Sequence, residues 1–476
     1  MQKVDFNDGK ITKDIMRTAL PMLLAQVLNL LYSIVDRVYI GRIPGAGTDA
    51  LGAVGLCFPI VTLVVGFTNM FGSGGAPLFS MALGAGDRKK AADIQNSAFR
   101  LLTVSALLIL VIGELFGGPI LLLFGSTQAE LPMALSYLRI YLIGTLFLML
   151  ATGMTAYITA QGYAMNGMIA VTIGAAANLI LDPVFIFALG LGIRGAAIAT
   201  VIAQCLSFLY VMRFFLKGKN EFPIRFVPEP CVTSDTQKLP ASAQNISGLF
   251  SRRFFPYGKE IAGLGFSPFI MSVTNSVVQI VCNNVLMTFG GSVYVSVMTI
   301  VSAVRSILDT PALSFAEGAT PVLSFNYGAK RPQNVRRAIT VLMCTLIPYT
   351  CLLWLLIMLV PEFFVRIFSN DTEILADASR ALHLYFLAFI CQSFQYCGQT
   401  VFKSLRKKKR TVFFSVFRKI ILVVPLTFAL PRVHGLGTDG VFLAEPISNI
   451  IGGLACFITM LATILPELKR MQKKSG

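Results

Sequence analysis

At 476 residues, with 55% hydrophobic and 13% charged side chains and a mean hydropathy of +0.72, the chain is too apolar to be a set of soluble domains. Its net charge of +17 does not mark a nucleic-acid binder, because the basic residues fall in short clusters between apolar windows. Nine scattered cysteines without a Cys-x-x-Cys pair, and only two histidines, give no metal or redox signature.

Cutting at charges and Gly/Pro clusters gives about twelve apolar windows of roughly 20 residues or more, enough to cross a ~30 Å hydrocarbon core at ~1.5 Å per residue. They fall near 15–41, 50–82, 94–117, 131–160, 164–190, 193–216, 260–290, 293–326, 335–359, 376–402, 411–431 and 438–465. Windows this long and uniformly apolar predict helices, since backbone groups in hydrocarbon must be satisfied within the segment. The fold class is therefore an all-α integral membrane protein. The first window is too long for a signal-peptide core and lacks a cleavage site after it, so the N-terminus is expected to be retained.

Basic clusters occupy alternate loops: Lys3 to Arg17, Arg88 to Lys90, the stretch from Arg213 to Lys259, Lys330 to Arg337, Arg406 to Arg410, and Lys469 to Lys474. By the positive-inside rule both termini and the central stretch are expected on the cytoplasmic side of the cytoplasmic membrane. That stretch holds Pro223, Pro228, Pro230 and Pro240 and reads as a linker. The expected organisation is an N-terminal six-helix lobe at 1–217, a linker at 218–258 and a C-terminal six-helix lobe at 259–476. The sequon at Asn245 would then face the cytoplasm and stay unmodified.

The two halves repeat one another. Phe71-Gly-Ser-Gly-Gly-Ala-Pro-Leu-Phe-Ser-Met-Ala-Leu-Gly-Ala85 aligns with Phe315-Ala-Glu-Gly-Ala-Thr-Pro-Val-Leu-Ser-Phe-Asn-Tyr-Gly-Ala329, an offset of about 244 residues. The register persists at Phe124 and Phe368, Tyr141 and Tyr385, and Gly192 and Gly437. An even number of crossings in each half makes the repeats parallel. Repeats of this size are common in secondary transporters.

Ionisable groups inside a span cost ~2.5–3.5 kcal/mol on insertion scales and point to function. Asp36, in the first helix, is ~8 Å below its outer end, and Asp182, in the fifth, is ~12 Å below Gly190. Asn178 lies one turn from Asp182 on the same face, and Thr200, in the sixth helix, shares this depth. Two carboxyls, an amide and a hydroxyl suit a proton or Na⁺; a buried network that only joins helices is the competing reading. Arg305 and Asp309, spaced i, i+4, are expected to form an internal ion pair. Glu317 lacks a basic partner at i±3 or i±4 and is a candidate substrate or gating residue, with Asp309 and Arg305 beside it in that role. Asp36 and Asp182 have no acidic counterparts at the 244-residue offset, so ion coupling is expected in the N-terminal half. His383 and Trp354 read as packing residues.

At these residues the chain resembles the MATE (multidrug and toxic compound extrusion) family over essentially its whole length. Ala177-Asn-Leu-Ile-Leu-Asp-Pro-Val-Phe-Ile-Phe187 with Gly192-Ile-Arg-Gly-Ala-Ala-Ile-Ala-Thr200 is similar to that family's fifth-to-sixth helix signature, and Pro21 with Val35-Asp36 to its first-helix proline and acid. Asp36-Arg37 with Glu317-Gly318 resembles the bacterial MepA-like branch. The resemblance implies two six-helix lobes and alternating access, with H⁺- or Na⁺-driven export of cationic amphipathic compounds. It also implies a cation site at Asp36, Asn178, Asp182 and Thr200, and a first helix that bends at Pro21. Neither a cofactor nor nucleic acid is implied, only small substrates and membrane lipids around a chain expected to work as a monomer. A lipid-linked oligosaccharide flippase or a metabolite exporter of the same superfamily is the transporter alternative. A major-facilitator transporter fits less well, because beyond Gly84-Ala-Gly-Asp-Arg-Lys-Lys90 that group's motifs are missing. No nucleophile and base pair, metal-ligand spacing or phosphate loop marks an intramembrane enzyme.

Overall fold

The computed structural model describes residues 3–124, 126–128, 130–217, 221–224, 255–368, 372–433 and 435–475; the sequon at Asn245 and most of the linker lie outside the described residues. Among the described residues there is no strand. The helices are α1 (Ile11–Gly41), α2 (Gly47–Gly84), α3 (Arg88–Leu123), α4 (Leu131–Ala160), α5 (Ala164–Ala188) and α6 (Gly192–Lys217). An uninterrupted run, Gly258–Gly328, follows. At ~1.5 Å per residue its 71 residues would reach about 105 Å, over three bilayer cores, and its backbone leaves the helical region at Gly291 (φ 70°). It is therefore two crossings, α7 (258–290) and α8 (292–328). Then come α9 (Pro332–Leu359), the short α10 (Pro361–Arg366), α11 (Thr372–Phe386), α12 (Phe389–Ser404), α13 (Lys408–Arg432) and α14 (Gly437–Lys473).

α11 and α12 meet at a 46° bend and together make one broken crossing, so the sequence window at 376–402 hides a discontinuity. Two side chains explain how the break is tolerated. Trp354 Nε1 donates to the carbonyl of Leu387 (3.1 Å), which the bend removes from the helical ladder, and the His383 ring lies 3.2 Å from the Met358 carbonyl. Counting this pair once and the long run twice gives twelve crossings among the described residues.

The repeat is visible in the backbone as well as in the sequence. Apart from Gly9, every described residue with positive φ has a partner in the other half: Gly45 and Gly291, Gly86 and Lys330, Gly162 and Arg406, Gly190 and Gly435, Gly192 and Gly437. The left-handed turn is thus kept even where the second half places a basic residue, at φ 56° for Lys330 and 60° for Arg406. An L-residue pays for that conformation in steric crowding, which glycine avoids. The pairing also explains Gly291, which stands where the first half has the loop glycine Gly45.

Contacts divide the chain into two compact units, 31–161 with 166–266, and 1–30 with 162–165 and 267–476. In the first, α4 packs against α2, α3 and α6. Tyr157, fully buried, donates its hydroxyl hydrogen to the Phe71 carbonyl (2.9 Å), in space left by the missing Cβ of Gly75. α2 and α7 touch backbone to backbone, with Gly74 against Gly265 and the Met70 carbonyl where a Gly265 side chain would begin. In the second unit the start of α1 packs on α8: Thr18 Oγ1 donates to the Gly318 carbonyl (2.7 Å), and a Cβ at Gly318 would overlap Ala19. Close helix approach through small residues is how apolar helices associate without a hydrophobic drive. Gly265→Val should therefore cut the yield of monodisperse protein in detergent several-fold, measured by size-exclusion chromatography, whereas Gly55→Ala, at a position with open space, should leave it unchanged.

Candidate functional site

Asp182 lies on the last α-helical turn of α5, before Pro183 and a π turn at Val184–Ala188. It is fully buried. Its Oδ1 accepts from Asn178 Nδ2 (3.1 Å), and the same amide donates to Thr200 Oγ1 (3.3 Å) on α6. Asp36, half-buried on α1, brings its carboxyl against that of Asp182, within hydrogen-bonding reach once one of the two carries a proton. Arg37 points to the exposed surface. The four residues singled out in the sequence thus meet within one compact unit, on three helices.

The hydrogen bonds are unevenly distributed around this pair. Asp36 Oδ1 and Asp182 Oδ2 are shielded from solvent and accept no hydrogen bond among the described residues. A buried carboxylate oxygen without a donor is costly. Such oxygens on two facing carboxyls are relieved by a proton shared between the acids or by a small hard cation. Tyr32 and Tyr137 flank the pair, and Tyr137 stacks on Tyr141 (6.1 Å). Pro21 sits inside an otherwise continuous α1, ten residues before the chain passes from one compact unit to the other at Leu30 and Leu31.

The second polar cluster lies in the other unit and is larger than the sequence indicated. Arg305 and Asp309 on α8 are paired at 3.1 Å. Arg305 also reaches Glu445 on α14 (2.8 Å) and the hydroxyl of Tyr385 on α11. Glu445 further accepts from Arg418 (3.1 Å) and Lys419 (3.1 Å), both on α13, while Arg418 bonds Asn449. On α12, Gln392 donates to both oxygens of Asp309, at 3.2 and 3.1 Å. Three cations therefore surround two carboxylates, and the Arg418, Lys419 and Glu445 side chains are no more than 6% exposed. Glu317, two turns further along α8, is half-buried and forms no ion pair among the described residues.

Arg418, Lys419 and Glu445 are the residues that the sequence reading missed. A signal existed: Arg418-Lys419 interrupts the apolar run of α13, and Glu445 follows Ala444, the register partner of Ala199, so that it occupies the position of Thr200 in the repeat. Arg418 and Lys419 lie in a π turn at Phe417–Val423, and Asn449 opens another at Asn449–Gly453, so the regular helical period does not run through them. Since the cluster has one more cation than carboxylates, losing a carboxylate should be worse than losing a cation. Glu445→Gln should destabilise the detergent-solubilised protein by about 3–5 kcal/mol. Lys419→Met should cost clearly less, both read as thermal-unfolding midpoints.

The chain is 23% identical over 456 residues to the multidrug export protein MepA of Staphylococcus haemolyticus, covering 95% of this chain and 94% of that one. It is 22% identical over 460 residues to an FAD transporter of Shewanella oneidensis, covering 94% of each. Its fold superposes with a TM-score of 0.86, at 20% identity and 99% coverage of both chains, on a multidrug resistance MATE family transporter of the MOP superfamily solved in an outward-facing conformation. The MatE family pattern matches residues 21–184 and 268–429, one stretch in each repeat. With most of its length matched in this way, the chain is a multi-pass membrane protein of the MatE family.

Proposed function

We propose that this protein is a cation-coupled antiporter that exports cationic amphipathic compounds across the cytoplasmic membrane by alternating access. The observation that carries the reading is the carboxyl pair: two shielded oxygens without donors, in a unit where the Asn178 amide donates to Asp182 and to the Thr200 hydroxyl. A proton or Na⁺ entering there joins α1 to α5 and α6 by satisfying both acids at once. Antiport requires that the cation and the exported compound favour different arrangements of the protein. α1 is suited to carry that difference, because its first part packs with one compact unit, its last part with the other, and Pro21 leaves a carbonyl one turn back without its helical donor. Likeness to a multidrug export protein supports the substrate class.

The test is ethidium efflux from proteoliposomes under a pH gradient and a Na⁺ gradient imposed separately. One of the two should drive transport, and Asp182→Asn should reduce it at least about tenfold; transport under neither, or an unaffected variant, refutes the reading. Asp36→Asn should keep expression intact and abolish extrusion.

A second reading, export of an anionic metabolite, is favoured by the cationic excess around Glu445 and by likeness to the FAD transporter. If it holds, FAD will compete with ethidium in the same vesicles and Lys419→Met will weaken the competition. Absence of competition at millimolar FAD dismisses it.

A further inference from the structure

Away from both polar clusters, the start of α1, the start of α9 and the end of α14 enclose an open furrow of about 940 Å³. Lys10, Lys13, Arg336, Arg337 and Lys469 line it, and no acidic side chain does. All five are exposed. Asp8, beside Lys10 but outside the furrow lining, accepts from the Lys10 backbone N–H (2.9 Å), which holds its carboxyl below the usual range, so it stays ionised. Lys13, Arg336, Arg337 and Lys469 form no ion pair among the described residues. Two helices, α1 and α9, begin in the furrow, and their unpaired N–H groups and dipoles add to its positive field.

The floor has different chemistry. Val341 on α9 and Leu461, Leu465 and Leu468 on α14 form an apolar wall below the basic rim. This wall continues along both helices into the apolar crossings, where Ile458 is 60% exposed. The site therefore changes from strongly cationic to apolar along the direction in which a membrane changes from headgroup to hydrocarbon. A free anion would use the rim and leave the wall unanswered. A lipid tail alone would leave five cations unanswered.

We infer that this furrow binds one anionic phospholipid, with the headgroup phosphate among Lys13, Arg336 and Arg337 and its acyl chains along the wall formed by α9 and α14. Each basic residue near an anionic membrane surface contributes roughly 1 kcal/mol, so three acting on one phosphate give a preference of a hundredfold or so over a zwitterionic lipid. The furrow involves none of the residues assigned to cation coupling. An occupant fastens the foot of α1 to α9 and α14, three elements of one compact unit.

The test uses the full-length purified protein in detergent, titrated with dioleoyl phosphatidylglycerol, dioleoyl phosphatidylcholine or glycerol phosphate, with binding read by native mass spectrometry and thermal shift. Two triple variants keep the net charge equal: Lys13→Gln with Arg336→Gln and Arg337→Gln in the furrow, and Lys89→Gln with Arg213→Gln and Lys409→Gln elsewhere. All six side chains are exposed, so both proteins should fold. Phosphatidylglycerol should bind saturably to wild type and to the second variant and at least about tenfold more weakly to the furrow variant. Equal loss in both variants would reduce the effect to general surface charge. Equal stabilisation by phosphatidylcholine, or by glycerol phosphate at matched concentration, would remove the lipid assignment.

Discussion

In hydrocarbon, every buried charge has to find its counterpart within reach, since water cannot supply one. The two halves of this chain meet that demand in opposite ways from the same repeated framework. In the second half, Glu445 occupies the repeat position of Thr200 and is surrounded by Arg305, Arg418 and Lys419, so the protein's own cations complete the cluster. In the first half the acids come from α1 and α5, they form no ion pair among the described residues, and one oxygen on each carboxyl is left without a donor. One cluster supplies its carboxylates with cations from the chain itself and the other does not, which is why the proposed function rests on Asp36 and Asp182.

This contrast also suggests how the repeat diverged. The backbone turns are held in common, down to the paired left-handed positions Gly162 and Arg406, so the frame of six crossings is the same on both sides. What differs is the polar content of a few helical turns near α5, α6, α13 and α14. A fixed ion cluster makes a rigid unit, because breaking any pair strands a partner in low dielectric. A carboxyl pair that alternates between protonated or ion-bound and bare makes a unit with two states. On the function proposed above, the asymmetry would leave one half to respond to the cation and the other to hold its shape.

Much of this was legible in the sequence for physical reasons. Crossing number, repeat and boundaries follow from hydropathy and from glycines at left-handed turns, and Asp36, Asn178, Asp182 and Thr200 could be placed together because helical rise and the i, i+4 rule fix depth and face. The pair Arg305 and Asp309 was legible on the same grounds. The rest depends on departures from regular geometry. The break between Phe386 and Phe389 follows no proline or glycine, and π turns in α13 and α14 interrupt the regular period where Arg418, Lys419 and Asn449 stand. Arg418 and Lys419 were also hidden by their neighbours, since the basic run at Arg406 to Arg410 draws attention to the loop.

The central claim is that the carboxyl pair exchanges its cation when substrate binds. The most direct measurement is cation release at equilibrium: purified protein in weakly buffered detergent, with a pH-indicator dye and parallel ²²Na⁺ retention, on addition of ethidium. The account predicts release of a single species, about one cation per bound substrate, abolished in both Asp36→Asn and Asp182→Asn while ethidium binding persists. Release that is undiminished in both variants would contradict it and move the coupling site elsewhere in the protein.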